Sequence, residues 1–423
     1  MLDDNLRHQI TELIRREVIP AVGCTEPAAV ALCTARATEM LGCRPEHIDV
    51  ILSPNMLKNA MGVGIPGTGR VGLPIAVALG ATVGRSELGL EVLRDVTPQA
   101  VADALPLADA VAVELCPEPC DKLYVAVTVH AAGQAATAMI AGGHTTFVDP
   151  ATYKFSPSSQ LPSSPTSQPT PQLSLPLVWE YAMTSPVDEL RFILESRRLN
   201  KAAAEQAFTE RYGHSVGRTL HCQRQRAIMG DSIFSRILSY TSAACDARMA
   251  GACIPVMSNS GSGNQGIAAT LPVAVYAEET FASEEQTIRA LTLSHLTVIY
   301  IKQSLGRLSA LCGCVVAATG SSCGIAYLMG GDYSRIAATV KNMIANLTGM
   351  ICDGAKPSCA MKLTSGVATA VISAMCAMEG HEVSAVEGII DSDVDRSIAN
   401  LTAIGRDAMN ETDRLILSIM TSK

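Results

Sequence analysis

The sequence predicts an α+β chain, an N-terminal α/β domain followed by a mostly α-helical domain, and three observations predict it. Alternating apolar, β-branched runs occur only within the first 150 residues. From Trp179 onward the apolar residues recur at helical spacing, with no convincing alternating strand. Between the two parts, residues 156–176 read SPSSQLPSSPTSQPTPQLSLP, a Pro/Ser/Thr/Gln run with nothing to bury. The expected organisation is therefore 1–150, a linker or insertion at 151–178, and a helical domain at 179–423.

Residues 3–19 read as a helix, and a second helix starts after Cys24-Thr25-Glu26-Pro27, because proline suits a first helical turn and Thr25 offers a cap. Runs 47–53 and 111–115 read as strands. Runs 123–130 and 134–141, joined by Ala131-Ala132-Gly133, read as a β-hairpin. In the second half, 186–207, 224–250, 283–304 and 333–348 carry helical spacing. Residues 308–331 run without a charge between Arg307 and Asp332. Their length alone permits a membrane span. LSALCGCVVAATGSSCGIAYLMGG is nevertheless rich in Gly, Ser and Cys, and reads as a buried helix of a soluble core.

Lys plus Arg number 32 against Asp plus Glu 40, with no polybasic run, so neither nucleic acid nor an anionic membrane is an expected partner. Hydrophobic residues reach 48% but aromatics only 4%, so the core is expected to be closely packed small-residue helices. Such faces suggest a homodimer. The N-terminal segment is charged and lacks the apolar stretch of a signal peptide, which points to a cytoplasmic chain with reduced thiols.

Its 14 cysteines then need explaining by packing, metal or catalysis. Cys33, Cys43, Cys222, Cys245, Cys253, Cys323 and Cys376, mostly in apolar helical contexts, read as packing. Cys116 and Cys120 have a zinc-like spacing without a second pair. The informative group is Cys312, Cys314, Cys352 and Cys359, with Cys24 far upstream. CDGAKPSC at 352–359 is a Gly/Pro loop able to turn two thiolates toward one point. Two Gly-rich loops, SNSGSGNQG at 258–266 and the 55–70 segment with Lys58 and Arg70, offer amides for an anion. Neither is a P-loop or a dinucleotide fingerprint. His144 and His295 stand in motif-like contexts, and Lys302, Lys356 and Lys362 are candidate carboxylate partners.

GCTEPAA at 23–29, NMLKNAMGVGIPGTG at 55–69, SNSGSGNQG, SHL, GRLSALCGC and CDGAKPSCAMK together resemble the iron–sulfur L-cysteine desulfidases, over the whole chain except the 156–176 insertion. The region from Cys312 to Cys359 is also similar, more distantly, to the cluster-binding part of the iron–sulfur L-serine dehydratases. The resemblance implies a [4Fe–4S] cluster held by Cys312, Cys352 and Cys359, with Cys314 a competing choice for the first. It implies β-elimination of L-cysteine to hydrogen sulfide, pyruvate and ammonia. GCTEP stands where the dehydratases carry a Ser/His-type motif, which favours the desulfidase.

Within that scheme Cys24 is the candidate base, since a thiol at a helix N-terminus has a depressed pKa, or else a resting fourth ligand. Glu26 and His295 complete the catalytic candidates. Asn55, Lys58, Ser260, Asn264 and Lys362 are the expected substrate-binding residues. The alternatives are an L-serine dehydratase, a pyridoxal phosphate lyase with Lys58 or Lys302 as Schiff base, and a non-enzymatic iron–sulfur redox sensor. The pyridoxal reading leaves the clustered cysteines unexplained, and no basic face supports a DNA-binding regulator.

Overall fold

The computed structural model describes residues 2–117, 120–155, 170–306 and 308–423. Residues 156–169 of the Pro/Ser-rich run, residues 118 and 119 between Cys116 and Cys120, and Arg307 lie outside the described residues.

Helix α1 (Asp4–Glu17) is capped by the Asp3 carboxylate and leads through a short strand, β1 (Pro20–Val22), into α2 (Thr25–Leu41). After β2 (His47–Leu52) come α3 (Pro54–Ala60), α4 (Leu73–Thr82) and α5 (Pro98–Ala108), each with proline in its first turn, where no amide hydrogen is needed. Strands β3 (Val111–Leu115), β4 (Tyr124–Ala131), β5 (Gln134–Ala141) and β6 (Phe147–Val148) complete a sheet of order β3-β2-β4-β5-β6. Only β2 and β3 run parallel. The β4–β5 turn is Ala132-Gly133, both at positive φ (51° and 75°), as a two-residue hairpin with right-handed twist requires. Val30 and Leu32 of α2 and Val77 and Leu79 of α4 share a buried core with Val50, Val125, Val127 and Ile140 of the sheet.

The helical body comprises α6 (Leu175–Thr184), α7 (Val187–Leu190), α8 (Leu194–Thr209), α9 (Val216–His221), α10 (Gln223–Met229) and α11 (Ile233–Met249). It continues with α12 (Gly263–Glu279), α13 (Glu284–Leu305), α14 (Gly313–Leu328) and α15 (Tyr333–Leu347). The chain ends in α16 (Cys359–Met378), α17 (Val394–Ala403) and α18 (Asn410–Thr421). One strand also falls here, against the sequence expectation: β7 (Pro255–Met257) pairs antiparallel with β1. Three residues are too few to display an alternation.

The uncharged run forms α14, a buried helix packed against α12, α13, α15 and α16. Glycine allows that contact. A Cβ at Gly320 would lie 2.4 Å from the Ser294 carbonyl oxygen and one at Gly324 2.9 Å from that of Ala290, so α13 and α14 approach backbone to backbone. Helix α1 joins this core too, through Ile10, Leu13 and Ile14, although the chain enters the sheet after it. Among the described residues one helix, α16, is long and apolar enough to cross a membrane. It packs against α11, α14 and α15.

Candidate active site

Four helices, α2, α12, α14 and α16, present their N-terminal ends to one cavity of about 100 Å³. From α2 come Cys24, the N-cap, and Glu26; from α12 come Ser262, Asn264 and Gln265. Cys312 caps α14 and Cys314 lies in its first turn, while Cys359 opens α16 and Cys352 stands in the loop before it. Asn59, Arg248 and Lys302 complete the polar wall.

Two short backbone clamps hold these termini together. The β1–β7 pairing continues as Ser258 N to Ile19 O (2.8 Å) and Ser260 N to Glu17 O (2.9 Å), and Thr25 Oγ1 donates to Gly261 O at 2.8 Å. Thr25 is thus spent on this loop and Cys24 is the N-cap residue, without a side-chain cap bond. On the other side, Cys312 N donates to Met350 O (3.0 Å) and Cys352 N to Ala310 O (2.7 Å), setting two cysteine-bearing segments side by side. Gly354 allows the following loop to close over α3: a Cβ there would lie 2.2 Å from the Lys58 carbonyl oxygen, and its φ is +87°.

The electrostatics oppose each other. Helix N-termini carry partial positive charge and favour anions, but burial disfavours the charged form of a thiol. For Cys24 burial wins, pushing the thiol up to about 12 despite the nearby positive charge of Arg248, so the thiolate expected from its helix position is not the resting form. Burial likewise pushes Cys352 up to about 11 and raises Cys359, each opposed further by the charge of Cys312. Cys312 is the exception. The Cys314 thiol donates to its sulfur, which holds Cys312 below the ordinary thiol range and pushes Cys314 well above it. Among the described residues no three His, Cys, Asp or Glu side chains gather closely enough to hold a single metal ion.

Three buried polar atoms on the same wall have no hydrogen-bond partner: Arg248 Nε, Gln265 Oε1 and Asn59 Oδ1. Their residues are 3%, 5% and 8% exposed. Asn59 Nδ2 donates to Glu26 Oε1 (3.2 Å), which orients the carboxylate. Sequence reasoning missed Arg248, and held Asn59 and Gln265 only as members of the two Gly-rich loops. A signal existed for Arg248, a charged residue inside the small apolar run TSAACDARMAGA at 241–252.

Several sequence candidates do not line this cavity. Lys58 forms an ion pair with Asp413 and donates to Cys352 O (3.3 Å), and Asn55 Nδ2 donates to Asp413 Oδ2 (2.7 Å). Both residues line a separate cavity of about 220 Å³ beside α18. Lys362 pairs with Asp353 and donates to Ile351 O (2.8 Å), so it braces the cysteine loop. Lys356 does the same through Asp353 (2.5 Å). Ser260 sits at φ +48° in a tight turn closed by Asn259 and Ser262 and donates to Asn259 Oδ1 (2.8 Å). The turn's amides are largely consumed internally or by Glu17, and the loop offers side chains to the cavity instead of an amide cradle.

His295 is fully buried in α13 between Asn259 Nδ2 and Thr270 Oγ1, both at 3.0 Å. Burial pushes its pKa down to about 3. It anchors the turn as a neutral ring. Cys33 and Cys323 are buried away from the cavity lining, as packing cysteines are.

A family model described as "serine dehydratase alpha chain" matches residues 87–418. Relatives named UPF0597 protein include one from Bacteroides fragilis, 64% identical over 100% of both chains. Another, from Bacteroides thetaiotaomicron, is 65% identical over 99% of this chain and 98% of its own. One from Photobacterium profundum is 43% identical over 99% of each.

Proposed function

The chain belongs to the serine dehydratase alpha-chain family, and from that premise we propose that it is an iron–sulfur-dependent ammonia-lyase that eliminates hydrogen sulfide from L-cysteine. The observation that carries this reading is one cavity lined by Cys312, Cys352 and Cys359 together with Cys24 and Glu26. The donor set fits a cluster. Buried thiols whose ionisation is opposed by burial and by each other become stable thiolates only beside a cationic centre, and four helix N-termini favour the resulting negative charge. The ligands of a polynuclear cluster also stand farther apart than those of a single ion. Cys312, Cys352 and Cys359 would hold a [4Fe–4S] cluster, which when bound supplies a Lewis-acidic iron for the leaving sulfur. Cys314 serves as a hydrogen-bond donor to the sulfur of Cys312.

The chain's own residues handle the protons. Glu26 takes the proton from the substrate Cα, its carboxylate already oriented by Asn59. The electron pair left at Cα becomes the Cα–Cβ double bond as the Cβ–S bond breaks. The sulfur leaves as hydrosulfide and takes up the proton that Glu26 now holds, which restores the carboxylate, while Cys24 stays a neutral thiol in its buried setting. The aminoacrylate tautomerises to an imine, and water converts that to pyruvate and ammonia.

The test is protein purified anaerobically, with its iron content measured, assayed for sulfide and pyruvate from L-cysteine and for pyruvate from L-serine. Equal sulfide and pyruvate, with a higher kcat/KM for L-cysteine, is the expected result. Turnover of L-serine alone makes the enzyme a dehydratase. An iron-loaded protein that forms pyruvate from neither overturns the proposal.

A further inference from the structure

The unsatisfied atoms around the cavity differ in kind, and the difference describes a ligand. Arg248, at the end of α11, is 3% exposed, and among the described residues no carboxylate lies within ion-pair distance of it. Its Nη1 donates to Asn264 Oδ1 at 3.1 Å, and its Nε hydrogen has no acceptor. A buried guanidinium without a counter-charge is costly and persists where an anion completes it. Nor is its position incidental. A Cβ at Gly263 would lie 2.1 Å from Arg248 Nε, so only glycine lets the guanidinium lie across the first turn of α12.

The other two atoms, Gln265 Oε1 and Asn59 Oδ1, are acceptors without donors. Glu26 stands beside Asn59 and adds a negative charge. The cavity wall therefore holds one incomplete cation and two incomplete acceptors with a carboxylate.

We propose that Arg248 binds the substrate α-carboxylate and that Gln265 and Asn59, with Glu26, bind its α-ammonium, so that the cavity selects an α-amino acid zwitterion whatever its leaving group. This assignment rests on the same cavity being the active site, but not on which group is eliminated. It directs the Cα–H bond toward Glu26 by holding both other polar substituents of Cα. Arg248 is thus a specificity-determining residue that the sequence motifs do not mark.

The test uses equilibrium binding to the anaerobically purified full chain by calorimetry, with L-alanine, which has no leaving group, as probe. L-Alaninamide lacks the carboxylate charge, and propionate lacks the amine. On the unaltered protein L-alanine is expected to bind about 10- to 100-fold more tightly than either, the range of a hydrogen bond to a charged group. Arg248→Lys and Arg248→Met are expected to weaken L-alanine by a similar factor while leaving L-alaninamide unchanged. Gln265→Leu is expected to weaken L-alaninamide as well as L-alanine.

Equal affinity of the unaltered protein for all three probes overturns the proposal even if a variant fails to fold. So does the absence of L-alanine binding, or an Arg248→Lys protein with native circular dichroism and unchanged L-alanine affinity. If recognition follows Arg248 but no sulfide forms from L-cysteine, the zwitterion site stands and the desulfidase reading falls. Sulfide release with Arg248-independent binding gives the reverse.

Discussion

Asp413→Asn decides whether Asn55 and Lys58 bind substrate or hold the cysteine loop. The Lys58 side chain is 2% exposed and that of Asp413 13%, and the two form an ion pair that also takes the Asn55 amide. Removing one partner of a buried pair leaves an uncompensated charge and costs roughly 3–5 kcal/mol. The partial exposure of Asp413 places this case near the lower end, about 3 kcal/mol. Lys58 Nζ also donates to Cys352 O, and the Cys352 amide is bonded to Ala310 O, so the loss is felt at the loop. Hydrogen exchange of the Cys352 amide is the assay: a loss of about 3 kcal/mol in local opening makes exchange roughly a hundredfold faster. The double variant Lys58→Met, Asp413→Leu removes both charges and is expected to exchange more slowly than Asp413→Asn alone. Unchanged exchange in Asp413→Asn, with a raised KM for L-cysteine, would refute the clamp and restore the substrate-binding role read from the sequence.

Gly320→Ala places a Cβ 2.4 Å from a backbone oxygen and is expected to destabilise the α13–α14 contact by several kcal/mol, read as loss of soluble folded protein. Gly349→Ala, with open space around it, is the matched control. His295, held down to about 3 by burial, takes up a proton on unfolding at any pH below its unfolded value near 6.5. Its contribution is therefore fully present above about 6.5 and is lost as pH falls toward 3, so acid destabilisation is expected to be shallower in His295→Gln than in the native protein. An equal slope in denaturation from pH 7 to 4 would contradict this. Asp246, raised to about 6, acts oppositely and is common to both proteins. Single Ser replacements of Cys312, Cys352 or Cys359 are expected to abolish iron content in anaerobic preparations, whereas Cys314→Ser and Cys323→Ser retain iron. Iron lost equally from Cys323→Ser would show a folding effect instead.

Secondary structure was legible wherever one periodicity ran long enough. The hairpin across Ala132-Gly133, the α1 start, and the helices at 283–304 and 333–348 all follow from local pattern. The three-residue β7 was not legible, because its pairing energy comes from β1, far upstream in the chain. Cys312, Cys314, Cys352 and Cys359 stood out because glycine or proline beside a thiol marks a turn or helix start, a local property, whereas the choice of Cys312, Cys352 and Cys359 among them came from the family resemblance.

Only the tertiary structure decided what each polar residue faces. Lys58 and Arg248 are both cations in small-residue surroundings. Lys58 meets a carboxylate from the C-terminal helix and becomes a brace, while Arg248 meets none and is left open toward the cavity. Likewise a helix N-terminus lowers a thiol's pKa locally, but the bodies packed around Cys24 bury it and reverse the sign. Sequence by itself determined the long periodic elements and the cysteine-bearing turns. Burial and counter-charge are sums over segments distant in the chain, and those only the packed fold supplies.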